Sequence, residues 1–276
     1  MHIKTFDTRF KTLRIKKILE ENPTTKTFIF EYPLGGKPGQ FAMIWLPGFD
    51  EKPMSIAFDD GKEFWITICK VGPFSSAMHE LNVGDKVGIR GPFGTSYKFK
   101  KGENLALVAG GYGAAPMYFV AYEASNMGCH VDFLIGARNK DLLLYTHKIL
   151  SLANTKLHIS TNDGSVGVQG FITQVLDQIL ADSHSKKDYK VFTCGPEVMM
   201  KAVGDVCDKY KTPAWLSMEK YMKCGIGVCG QCAIDDTGAL CCVDGPVMEW
   251  KKLRKLPEMG EYHRDAQGKK HYLRAK

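Results

Sequence analysis

The spacing of apolar residues changes once along this chain, near Asn104, and that change dictates a fold in at least two parts. Residues 13–19, 26–32, 40–46, 54–58, 64–70 and 86–91 are short apolar-rich runs, divided by turn chemistry such as Gly35-Gly36, Pro47-Gly48, Asp59-Asp60-Gly61 and Val83-Gly84-Asp85. They read as about six strands and predict a small closed antiparallel barrel. From Asn104 the rhythm becomes strand and helix in alternation: 105–109, 116–127, 130–135, 141–152, 156–160, 171–182, 190–193 and 197–210, with 214–218 as a last strand. Alternation of that kind predicts a doubly wound parallel sheet with helices on both faces, whose ligands lie beyond the carboxyl ends of the strands. The expected division is 1–101, 102–213 and a small segment 214–276.

That last segment holds the most specific chemistry. Cys224, Cys229, Cys232 and Cys242 follow one another with four, two and nine residues between them, and Gly225, Gly227 and Gly230 keep the loop small enough for backbone amides to point at sulfur. Plant-type 2Fe-2S ferredoxins share the early spacing. Zinc usually takes two separate short-spaced pairs and fits less well, and unligated thiols are a third reading. Cys241 adjoins Cys242; adjacent side chains diverge, so one of the two binds iron.

Other motifs are weaker taken singly. Gly110, Gly111 and Gly113 stand between an apolar strand and a helix opening at Pro116, where a phosphate can approach backbone amides at the positive end of a helix. Their order is not the Rossmann glycine fingerprint, and a packing turn explains them equally well. A second strand ends in Cys194-Gly195-Pro196, again leading into a helix; Cys194 is either a buried thiol or a neighbour of a bound nicotinamide. In the barrel, Lys52-Pro53-Met54-Ser55 and the stretch 70–76, with Lys70, Gly72 and Ser75, offer charge and hydroxyls to a pyrophosphate. Asp163 follows a strand where the adenosine ribose of a dinucleotide would lie, and a carboxylate there repels a 2′-phosphate, favouring NAD over NADP.

Composition narrows the classes. The nine cysteines, no charged-then-apolar leader and no run of eighteen apolar residues point to a cytoplasmic protein with reduced thiols and no membrane span. Of the net charge of +7, residues 251–276 contribute nine Lys or Arg against three acidic residues, a balance of +6 that suits either a solvated tail or a docking surface for an acidic partner. Nucleic-acid signatures are absent, as are hydrolase and nucleotide-loop motifs.

Read together, residues 110–116, 194–196, 52–55 and the cysteine loop resemble the ferredoxin-NADP reductase superfamily. Within it they are most similar to the electron-transfer subunits of NAD-linked, two-subunit dihydroorotate dehydrogenases; the stretches 163–167, 170–173 and 242–247 carry this closer likeness. The resemblance implies an FAD barrel in which Lys52, Pro53, Met54, Ser55, Ile68, Cys69, Lys70 and Ser75 contact flavin. It implies a nicotinamide site bordered by 110–116 and 194–196, and Cys242 as the fourth iron ligand. It further implies hydride transfer between nicotinamide and flavin. Single electrons would then pass between FAD, the 2Fe-2S cluster and an FMN in a separate catalytic subunit, in a heterotetramer of two plus two. Many relatives carry Arg at the position of Lys52, which turns a bidentate phosphate contact into a point charge, and Thr at that of Ser75. Small FAD/2Fe-2S subunits of NADH-dependent ferredoxin:NADP oxidoreductase, sulfide dehydrogenase or hydrogenase complexes share the motifs, although Asp is common there in place of Cys224. A zinc-stabilised redox-sensing protein is the reading without turnover.

Overall fold

The computed structural model describes residues 8–182 and 189–273. Strands β1 (Lys11–Arg14), β2 (Lys17–Asn22), β3 (Thr25–Phe30), β4 (Phe41–Leu46), β5 (Asp50–Asp59), β6 (Phe64–Cys69) and β7 (Lys86–Phe93), with helix α1 (Pro73–His79) before the last, form an antiparallel sheet ordered β1-β7-β4-β5-β6-β3-β2. The single strand expected over 13–19 is bent into β1 and β2. Ile15 N donates to Asp85 O at 2.9 Å and the next amide, Lys16 N, to Ile29 O at 2.8 Å. One strand thereby satisfies both edges of the sheet, and the six-stranded barrel closes with few open backbone groups. Register shifts at Glu20/Asn22, Phe41/Met43 and Ile56/Phe58 supply the extra bend.

The second sheet contains β8 (Asn104–Gly110), β9 (His130–Ala137), β10 (Thr155–Thr161), β11 (Val168–Gln169), β12 (Tyr189–Cys194), β13 (Ala214–Ser217) and β14 (Val247–Glu249), ordered β11-β10-β9-β8-β12-β13-β14. All its pairings are parallel except β13 with β14. Helices α2 (Ala114–Asn126), α3 (Thr146–Leu150), α4 (Ile172–Ala181) and α5 (Glu197–Tyr210) connect them. The chain order reverses between β8 and β12, so the glycine turn and Cys194 emerge side by side at the switch point, where such sheets bind ligands.

Helix α2 is buried from Ala114 to Ala121 because it is sandwiched between its own sheet and the barrel, where Phe58 packs on Tyr118, Phe119 and Tyr122. Helix α3 is shorter than the expected 141–152. Tyr145, at φ 61°, turns its hydroxyl into the barrel to meet Thr27 Oγ1 at 2.9 Å and Thr67 Oγ1 at 2.7 Å, and this anchor fixes where the helix starts. Barrel and sheet share one continuous apolar core.

The C-terminal segment is not free-standing. After the cysteine loop and α6 (Cys241–Asp244), β14 extends the parallel sheet from its edge, and α7 (Trp250–Leu253) lays Trp250 on Gly204, where a Cβ would stand 2.4 Å from the indole. A hairpin of β15 (Tyr262–Arg264) and β16 (Lys270–Tyr272) closes the described chain, tied to the cysteine segment by Arg264 and Tyr262 on Asp235. The basic tail is therefore largely folded. No helix among the described residues is long and apolar enough to cross a membrane.

Candidate functional site

Two clefts and a ring of sulfurs meet where the three parts of the chain join. The first cleft, ≈ 460 Å³, takes Pro53, Met54 and Ser55 from β5, Ile68 and Cys69 from β6, and Ser75 from α1. The sheet adds Tyr112, Pro116 and Cys194 from its switch point, and the C-terminal segment adds Ser217, Met218, Glu219, Lys220, Met222 and Pro246. Phe41 and Met54 help make the walls mostly apolar, as a planar cofactor requires. Ser55 makes no side-chain hydrogen bond among the described residues and faces this space.

Three barrel residues singled out by sequence stand elsewhere. Lys52 Nζ lies 2.5 Å from Asp50 Oδ2 and 4.8 Å above the ring of Tyr221, joining the barrel to the cysteine segment rather than lining the cleft. Lys70 Nζ is at the surface, 3.7 Å from Glu80. Gly72 N and Val71 N both donate to Ser75 Oγ at 2.9 Å, so this hydroxyl shapes the turn before α1.

The glycine turn divides its labour. A Cβ on Gly113 would stand 2.1 Å from the Cys194 carbonyl oxygen, so this glycine is there for close packing of β8 on β12. Gly111, at φ 52° with nothing within 4 Å of its missing Cβ, faces open space. Burial pushes the Cys194 thiol up to about 12, and the nearby Glu219 carboxylate adds to this. Tyr112 donates its hydroxyl to Glu219 Oε2 at 3.2 Å, and the crowding of protein around Glu219 raises its carboxyl above the ordinary range.

The second cleft, ≈ 590 Å³, runs from Gly110, Gly111, Tyr112 and Pro196 across the carboxyl ends of β9 and β10 to Phe171 at the start of α4. Gly195 packs against Gly110 rather than lining it. Asp163 does not face this cleft: its Oδ1 accepts Ser165 N at 2.9 Å, and Ser165 Oγ accepts Lys140 N at 2.8 Å, so the carboxylate braces two loops at the rim.

In the cysteine loop backbone amides aim at sulfur. Val228 N and Cys229 N reach Cys224 Sγ at 3.3 and 3.4 Å, Gln231 N reaches Cys229 Sγ at 3.5 Å, Cys242 N reaches Cys232 Sγ at 3.4 Å, and Gly227 N reaches Cys242 Sγ at 3.2 Å. Donors of this kind favour thiolate, the form that binds iron. Burial raises Cys224, but the amides of Cys229, Ile226 and Val228 outweigh it and hold the thiol down at about 7; a hydrogen bond from Cys242 holds Cys232 at about 6 and pushes Cys242 up in return. The sulfurs fall into neighbouring pairs, Cys224 with Cys229 and Cys232 with Cys242. Two pairs suit the two irons of a 2Fe-2S cluster. Cys241 points the other way, its thiol 3.6 Å from Met218 O and pushed up by burial.

Residues 219–254 match the family profile of the iron-sulfur cluster binding domain of dihydroorotate dehydrogenase B, and residues 107–205 that of the oxidoreductase NAD-binding domain. A probable dihydroorotate dehydrogenase B (NAD(+)) electron transfer subunit of Methanocaldococcus jannaschii is 46% identical over 94% of this chain and 97% of that protein. The chain belongs to the family of dihydroorotate dehydrogenase B electron-transfer subunits. The corresponding protein of Methanothermobacter thermautotrophicus is 41% identical over 94% of this chain and 96% of its own length. Among solved structures, an NADH-dependent reduced ferredoxin-NADP oxidoreductase superposes with a TM-score of 0.78 at 25% identity, covering 87% of this chain and 88% of that one. The ferredoxin reductase of carbazole 1,9a-dioxygenase, at 20% identity and a TM-score of 0.66, shares the fold.

Within this family member, sequence reasoning passed over Ser217, Glu219 and Lys220, all on the first cleft, where Tyr112 of the expected nicotinamide border also stands. A signal was present for all three: they lie at the end of the apolar run 214–216 or just after it, at the carboxyl end of a parallel strand, where ligands bind.

Proposed function

We propose that this chain carries electrons between NAD(H) and a partner subunit that oxidises dihydroorotate to orotate in the cytoplasm, as a step of pyrimidine biosynthesis. FAD would occupy the first cleft against Pro53, Met54, Ser55, Ile68 and Cys69, NAD(H) the second against 110–113 and Pro196, and a 2Fe-2S cluster the four cysteines. One observation carries the reading. The stretch that lines the first cleft, 217–222, runs straight into Cys224, and Pro246 returns to the cleft four residues after Cys242. A flavin seated there would share its wall with the segments that carry Cys224 and Cys242, which suits short-range electron transfer.

When bound, these groups supply the redox chemistry: a two-electron hydride exchange between nicotinamide and flavin and one-electron exchange between flavin and iron. The chain's own residues hold and shape. Cys194 presents a protonated thiol at neutral pH to the first cleft, and the apolar walls exclude water. Tyr112 and Glu219, hydrogen-bonded to each other, border both the first cleft and its open flank. No separate acid/base constellation for a pyrimidine stands out among the described residues, and we assign that chemistry to an FMN-bearing partner in a two-plus-two heterotetramer.

Co-purification from the native cells tests this. An FMN-bearing partner and dihydroorotate-dependent NAD reduction by the complex are expected, with flavin and iron-sulfur absorption in this chain. Dihydroorotate oxidation by the chain alone would overturn the division of labour, and recovery of a ferredoxin-NADP oxidoreductase partner would move the chain to that related branch. A colourless protein carrying one zinc would sink the electron-transfer reading.

A further inference from the structure

The outer face of β4 continues past the cysteine loop into an aromatic patch that no described residue covers. Alternate residues share that face. Phe41 lines the first cleft, and Met43 lies beneath the cysteine loop, where a Cβ on Gly225 would stand 2.9 Å from Met43 Cγ. Trp45, the next in line, is 39% exposed. Phe10 reaches it across Gly88, ring centres 5.3 Å apart; only glycine permits this, since a Cβ on Gly88 would stand 2.6 Å from the indole and 3.1 Å from Phe10. Phe49, in the turn after β4, is 62% exposed, and Val228, at the tip of the cysteine loop, 79%. Arg90 joins patch to loop: its guanidinium lies 5.4 Å from the Phe10 ring centre, forms a bidentate pair with Glu51 and donates to Lys223 O at 3.5 Å.

Singly scattered apolar residues are ordinary on a surface, whereas a contiguous aromatic patch marks a contact. The first cleft takes one flank of the cysteine loop, at Phe41, so a protein that exchanges electrons with the cluster reaches it from the tip or from the flank at Trp45. Charge points to the same side. Around the patch Arg90 is paired with Glu51 and Lys52 with Asp50, which leaves the exposed Lys223, in no ion pair among the described residues, as an unbalanced charge beside Cys224. Building on the partner reading above, we propose that Phe10, Trp45, Phe49 and Val228 dock the FMN-bearing catalytic subunit, through an apolar patch on that subunit which sets an acidic side chain opposite Lys223. Trp45 and Phe49 are the anchors, since large aromatic side chains carry most of the binding energy of such interfaces.

Calorimetric titration of the holoprotein with the FMN-bearing subunit recovered by co-purification tests this. Trp45→Ala should weaken association about thirtyfold and Phe49→Asp about tenfold, while flavin content, iron content and dye-linked NADH oxidation by the chain stay at wild-type levels. Lys223→Gln should flatten the salt dependence of binding. Leu150→Asp, at a comparably exposed apolar site on α3, should bind as the wild type does. Wild-type affinity in both Trp45→Ala and Phe49→Asp, or an equal loss in Leu150→Asp, overturns the proposal while leaving the partner reading intact. Sedimentation showing that the chain alone forms a dimer which Phe49→Asp dissociates, with partner binding unchanged, assigns the patch to a second copy and overturns it too. Failure of any FMN-bearing subunit to bind the wild type overturns the partner reading itself, and this proposal with it.

Discussion

Cys241 and Cys242 are chemically identical neighbours, and the turn of α6 sends them to opposite sides. Cys242 Sγ meets the Gly227 amide and the Cys232 sulfur, and Cys241 Sγ meets the Met218 carbonyl. Cys242→Ser should therefore lose most of its iron and visible absorption. Cys241→Ser should keep two irons per chain and show only the stability cost of an altered buried contact, about 1–3 kcal/mol. Iron analysis and absorption spectra of the two variants check this, and equal loss of iron would mean that the cysteines share the role. The adjacency of these cysteines was plain in the sequence; which sulfur turns inward depended on the helical turn and on Met218, twenty-three residues away. Asp163 teaches the converse. Its position after a strand was legible, but its carboxylate had a nearer partner in Ser165, as short polar side chains in turns commonly do.

The strands and helices follow closely from apolar spacing, because period two and period 3.6 survive in short windows. The misjudged elements are those whose ends are set by distant contacts: the first barrel strand, split to serve two edges, α3, anchored by Tyr145, and β14, a three-residue strand with no pattern of its own. Another such contact holds the approach to the cleft. Lys220, on the first cleft, reaches Glu258 Oε2 at 2.6 Å; their side chains are 6% and 0% exposed. The Glu258 carboxylate has no hydrogen-bond donor of its own besides this ammonium among the described residues, so Glu258→Ala leaves an uncompensated buried ammonium, at a cost of about 3–5 kcal/mol. A lowered denaturation midpoint with weakened flavin retention is expected. Replacing both residues by Met and Leu should recover most of the loss of stability, and a double variant as unstable as Glu258→Ala would show that packing, not charge, is what the pair provides.

Barrel, sheet and C-terminal segment share apolar cores across their seams, so the holoprotein should melt in one cooperative transition rather than two. Resolved separate transitions in a scanning calorimeter would contradict this. Alkaline pH should weaken the whole. Burial pushes the Cys194 and Cys207 thiols up to about 12, above the roughly 8.5 of an unfolded chain. The stability tied to those protonated thiols is fully present below about pH 8.5 and is lost as pH rises toward about 12, which a denaturant midpoint measured against pH would register. A flat midpoint through that window would mean the thiols are not held protonated by the fold. Local pattern determined the barrel, the doubly wound sheet, the glycine turn and the spacing of the cysteine loop, because each depends on residues close in sequence. The joint clefts, the folding back of the basic tail and the opposite directions in which Cys241 and Cys242 turn were decided only in three dimensions. They rest on meetings of residues distant in sequence, 23 apart for Cys241 and Met218, 78 for Thr67 and Tyr145 and 152 for Thr95 and Val247, and no local periodicity encodes them.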